Sequence, residues 1–130
     1  MMRRCLPLLL LIVTACGPHS DTPPRNDVHV AAARFFTRTY SRSRFTGWHV
    51  HARAAGRDCD VLLVSTSIVL DDSMVEGLHY GGGYYGVMEG GVRRFCRERK
   101  FRGVTYTDSS TKVWTYGVTP EETPTLKPCD

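Results

Sequence analysis

The sequence predicts an α+β domain, an antiparallel sheet of about four strands with helices on one face, in the order α-β-β-α-α-β-β. Three observations predict it. Residues 27–40 repeat apolar side chains every three or four positions, and two pairs of segments alternate apolar and polar residues with a period of two. Between those pairs lie a helix-start signal and an arginine-rich stretch with helical spacing. Residues 27–118 suffice for one core and no second one.

The first helix is expected to turn Val28, Ala31, Ala32, Phe35, Phe36 and Tyr40 inward, with Asn26 or Asp27 as its cap. Arg34 and Arg38 follow one flank at a spacing of four and read as a solvated face. In "FTGWHVHARAAG", Trp48, Val50, Ala52 and Ala54 alternate with His49, His51 and Arg53, the pattern of a half-exposed strand. "CDVLLVSTSIVL", from Cys59, is longer and more uniformly apolar, so it belongs at the centre of the sheet. A glycine turn at "GRD" makes these two a hairpin.

The pattern then becomes helical. "SMVE" fits a capping box in which Ser73 caps the helix and Glu76 reaches back to the cap amide. This helix should run through Tyr80 and stop at Gly81 in the left-handed conformation. A further helix over about 90–100 is expected to bury Val92, Phe95 and Cys96 and to expose Arg93, Arg94, Arg97 and Arg99. "RGVTYTD" and "KVWTYGV" alternate around "SST" as a second hairpin. From Thr119 the polar, proline-rich end, residues 119–130, reads as a loosely ordered tail.

The amino-terminal stretch "MMRRCLPLLLLIVTACG" has two arginines, a short apolar run and small residues ahead of Cys16. That order is an export signal, and the run is well short of the roughly 20 residues that span a bilayer. Its end, "VTAC", resembles the lipobox of bacterial lipoproteins, with Val13 where leucine is commoner. The resemblance covers only this amino-terminal segment. It implies that residues 1–15 are removed, that Cys16 is acylated, and that the protein is held in the lipid bilayer of the cell envelope. Gly17, rather than aspartate, follows the cysteine, which for a Gram-negative lipoprotein implies the periplasmic face of the outer membrane. Residues 16–26, "PHSDTPPRN" included, have the composition of a tether.

The formal charge of +4 falls to near +2 without Arg3 and Arg4, and in that compartment a nucleic-acid partner is not expected. With Cys5 in the signal and Cys16 acylated, Cys59, Cys96 and Cys129 remain for one disulfide and one thiol. Three pairings are possible. Cys59 with Cys96 is preferred, because both fall on apolar faces of expected elements, whereas Cys129 lies next to the end of a polar tail.

"LHYGGGYYGVMEGG" contains G-x-G-x-x-G at Gly81, Gly83 and Gly86. The phosphate-binding form of that motif needs a strand before it and a helix opening from it, and here a helix comes first. Glu76 and His79, with His49 and His51, supply metal-ligand types but no ligand-set pattern, so neither a metal nor another cofactor is expected. No G-x-S-x-G turn is present. A small envelope hydrolase or metal-dependent enzyme would have to use Glu76, His79 and Glu89. The composition fits binding better: tyrosines set among glycines give rigid contact area at low entropy cost. The expected contact residues are His79, Tyr80, Tyr84, Tyr85 and Glu89, and the expected partner is an envelope protein or peptidoglycan. A periplasmic immunity-type inhibitor would be a special case of such binding.

Overall fold

The computed structural model describes residues 27–40, 49–81 and 89–130. The expected signal, Cys16, the expected tether, Trp48, Tyr84 and Tyr85 lie outside the described residues. Among those described, the order is α1 (Asp27–Tyr40), β1 (Val50–Ala55), β2 (Val61–Thr66), α2 (Asp72–Tyr80), α3 (Gly91–Glu98), β3 (Gly103–Thr107) and β4 (Val113–Tyr116), followed by a 3-10 turn at Thr123–Thr125. This is the expected α-β-β-α-α-β-β order of an α+β domain.

The strands lie in chain order, β1-β2-β3-β4. Both hairpins are antiparallel, but the central pair is parallel, with Val61 opposite Gly103 and Ser65 opposite Thr107. The sheet is therefore mixed rather than wholly antiparallel. The cause is the connection: β2 reaches β3 only through α2 and α3, a helical crossover that returns the chain to the end from which β2 set out.

One face of the sheet carries Ala52, Ala54, Leu62, Val64, Val104, Tyr106, Trp114 and Tyr116, which pack with the buried side chains of all three helices into one core. α1 contributes His29, Val30, Ala32, Ala33 and Phe36 to it. The helix is thus rotated from the expected setting, leaving Val28 75% and Phe35 41% exposed. His29 accounts for the rotation: its Nε2 donates to the Lys100 carbonyl at 3.1 Å and its ring packs at 4.6 Å from Phe101. α3 buries Val92, Phe95 and Cys96 as expected.

The outer edge of β1 is covered twice. Thr37 Oγ1 accepts from the Ala52 amide at 2.8 Å and donates to the Ala52 carbonyl at 3.1 Å. Beyond it the chain end lies along the same edge, with Cys129 N donating to Ala54 O at 2.9 Å and Gly56 N to Lys127 O at 3.1 Å. An edge strand left open would pair with other chains, and these contacts close it. The tail expected to be loose is held here, and a disulfide between Cys59 and Cys129 fixes it. The expected Cys59–Cys96 pair does not form. Cys96 is a free, buried thiol on α3, inside the core, whereas Cys59 sits at the β1–β2 turn against which the tail lies.

Candidate functional site

The Gly/Tyr-rich segment joins α2 to α3, and the helix ends that flank it are among the described residues. α2 begins earlier than expected. Asp71, not Ser73, is the cap, its carboxylate accepting from Met74 N at 2.8 Å. Glu76 is therefore freed from the expected capping role and is exposed. The helix does end at Gly81, φ 81°, whose amide returns to Gly77 O.

Gly81 has a second reason to be glycine. A Cβ there would lie 2.3 Å from Gly91 N, and a Cβ on Gly91 would lie 2.4 Å from both Gly81 N and His79 O. The backbone at the two ends of the segment is in direct contact, closing its base. Gly81 thus serves a helix stop and a backbone crossing, not a phosphate cradle. Gly83 and Gly86 lie outside the described residues.

Beside this closed base stands an aromatic cluster. His79 is 5% exposed, shares a 2.8 Å hydrogen bond between Nδ1 and the Tyr106 hydroxyl, and stacks on Tyr116 with ring centroids 3.7 Å apart. Tyr80 meets His79 edge-on at 4.8 Å and Tyr116 at 6.0 Å, and the Arg93 guanidinium lies 5.5 Å from the Tyr80 ring. Burial, with Arg93 adding to it, lowers the His79 pKa to about 4. Burial also pushes Tyr106 well above the usual tyrosine range, so at neutral pH both partners of this hydrogen bond are uncharged. Tyr116 is raised as well, by burial and then by the charges of Tyr80, Glu76 and Asp72.

The outer side of the cluster is a ridge. Tyr80 is 53% exposed, Trp114 and Tyr116 are half-buried, and Asp72 and Glu76 are exposed along one side. Trp114 Nε1 donates to Asp72 Oδ1 at 2.8 Å, and Lys112 Nζ lies 4.9 Å from the indole. No family model, curated protein or solved structure matches this chain.

Of the contact residues expected from sequence, the structure brings His79 and Tyr80 together, His79 as the buried support and Tyr80 as the exposed ring. Glu89 stands apart, its side chain 88% exposed and paired with Arg94 at 3.5 Å. Among the described residues no three histidine, cysteine or acidic side chains gather as metal ligands. His51 points from the sheet face opposite the core, while His79 lies within the core side. Trp114, Tyr116 and Tyr106 were not among the expected contacts. Their signal was present: Trp114 and Tyr116, two apart in a strand, must share a face, and Tyr106 pairs with Trp114 across it.

Proposed function

We propose that this protein is a lipid-anchored envelope protein whose domain binds a partner, an envelope protein or a cell-wall component, through the aromatic ridge of Tyr80, Trp114 and Tyr116 and the segment that continues from it. The observation carrying this reading is the exposed Tyr80 ring, set beside a closed Gly81–Gly91 base and backed by the His79–Tyr116 stack. A preorganised aromatic group loses little freedom on binding, which favours it as an anchor for a sugar face or a protein pocket. Asp72 and Glu76 supply hydrogen-bond acceptors along the same ridge.

The anchor part of the proposal rests on the resemblance of "VTAC" to a lipobox. Cys16→Ser should move the protein from the membrane to the soluble fraction and abolish lipid labelling; retention of both would remove the anchor. For the domain, purified sacculi and crosslinked envelope proteins are the two capture arms. Tyr80→Ala should weaken retention by one of them about tenfold, the effect of truncating one anchoring aromatic residue. Equal retention of the variant and the wild type in both arms would exclude the ridge.

A further inference from the structure

On the far side of β1 lies a groove of about 520 Å³ lined by Arg34, Thr37, Arg38, His51, Arg53 and Asp130. It combines three arginines and one carboxylate. Helical spacing puts Arg34 and Arg38 on one flank of α1, and strand alternation turns His51 and Arg53 to the sheet face away from the core. Asp130 arrives because the Cys59–Cys129 bridge holds the preceding residue against the β1 edge.

The carboxylate is received as a ligand would be. Asp130 Oδ2 accepts from Arg34 Nε at 3.3 Å, Oδ1 lies 3.5 Å from Arg53 Nε, and the Asp130 main-chain oxygen accepts from Arg53 Nη2. The Asp130 side chain is only 17% exposed, while those of Arg34 and Arg53 are 57% and 41% exposed. Arg53 takes both the side-chain carboxylate and a main-chain oxygen of one aspartate, and Arg34 shares that carboxylate, so the groove already holds an acidic residue of a polypeptide. Arg38 and His51 line the same groove without a carboxylate of their own among the described residues. The volume is far more than one carboxylate fills and lies within the range of ligand sites.

We propose that this groove binds an acidic peptide segment of a partner protein, and that Asp130 is a built-in competitor occupying the Arg34 and Arg53 end of it. The proposal concerns a different face from the aromatic ridge and stands independently of it. An incoming acidic residue displaces Asp130 from the two arginines while its neighbours engage Arg38. Because Asp130 and the peptide exclude one another, the apparent affinity is the intrinsic affinity reduced by the fraction of molecules in which the arginines are vacant.

The test is fluorescence anisotropy on the full chain with a labelled, acetylated tetra-aspartate peptide, its tetra-asparagine counterpart and inorganic phosphate as competitor. Asp130→Asn should tighten aspartate binding about three- to tenfold by removing the competitor. Arg38→Ala, at a residue with no ion pair to lose among those described, should weaken binding in both backgrounds, and added salt should weaken it further. Unchanged or weaker binding by Asp130→Asn would overturn the competitor. Equal binding of tetra-asparagine, or displacement of the peptide by equimolar phosphate, would overturn the acidic-peptide assignment.

Discussion

His79 is nearly enclosed by tyrosines, and burial makes its charged form expensive there, an effect that Arg93 reinforces. The histidine pKa falls from 6.5 to about 4 on folding, so the unfolded chain takes up a proton that the folded protein refuses. The His79 contribution is therefore undiminished above about pH 6.5, falls as the pH drops towards 4, and changes no further below that. Allowing for solvent screening beside exposed Tyr80, the loss amounts to about 2 kcal/mol. Asp108 governs a separate, lower window. Burial alone would raise its pKa, but bonds from Leu70 N, Ser110 Oγ, Lys112 N and Ser110 N bring it from 3.8 down to about 2. Its contribution is therefore present above about pH 4 and lost as the pH falls towards 2. Denaturant titrations from pH 8 to pH 2 should show both declines. His79→Gln, which keeps a polar partner for Tyr106 but cannot gain a proton, should flatten the upper decline and leave the lower one. An unchanged upper decline would mean that His79 is not its source.

The contact between the ends of α2 and α3 makes a sharp prediction at the scale of elements. Gly56, Gly81 and Gly91 all have positive φ, but a Cβ on Gly56 would meet nothing nearer than 3.6 Å. Gly56→Ala should cost only the left-handed backbone, about 1 kcal/mol. Gly81→Ala and Gly91→Ala add a collision with backbone that cannot turn aside, and each should cost about 3 kcal/mol or more. Urea midpoints for the three variants decide the matter, and a Gly81→Ala variant no less stable than Gly56→Ala would refute the crossing. The same region shows what the sequence could and could not convey. Apolar periodicity made the strands, α1 and α3 legible and a cap signal made α2 legible, although periodicity turned Val28, Ala31 and Phe35 of α1 inward and the structure exposes them. It could not separate an antiparallel from a parallel β2–β3 pair, since both bury Leu62 and Val64 in the same way. It placed the cap at Ser73 because Ser and Glu three apart satisfy a capping box, yet Asp71 offers the same chemistry two residues earlier. The glycine spacing matches a phosphate loop by letter alone because backbone approaching backbone and backbone approaching phosphate both demand a missing Cβ. Tyr80, named from the sequence as a candidate contact, is exposed in the structure, but the Trp114–Tyr116 side of the ridge depended on strands distant in sequence meeting α2.

Across the whole molecule, the Cys59–Cys129 bridge joins residues 70 apart and decides whether the chain end stays on β1. Closing a loop of that length restricts the unfolded chain by about 4 kcal/mol in the chain-entropy description. Cys96 reports on this from the core. It is buried in the core cluster that also holds Phe36, Phe95 and Phe101, and burial pushes its thiol pKa up to about 12, so the folded protein presents almost no thiolate. Alkylation at Cys96 must therefore pass through opening of the core, and its rate tracks the open population where closing outpaces labelling. In a Cys59→Ala, Cys129→Ala variant that population should rise by roughly a thousandfold, the equivalent of about 4 kcal/mol. Iodoacetamide labelling of the Cys96 peptide, followed by mass spectrometry under native conditions, measures this directly. The β1 edge is uncovered in the same variant, because Ala54 O and Gly56 N lose their partners in the tail, so concentration-dependent association should accompany the faster labelling. If Cys96 labels at the wild-type rate, the bridge does not hold the core closed, and helix packing over the sheet must account for its stability alone.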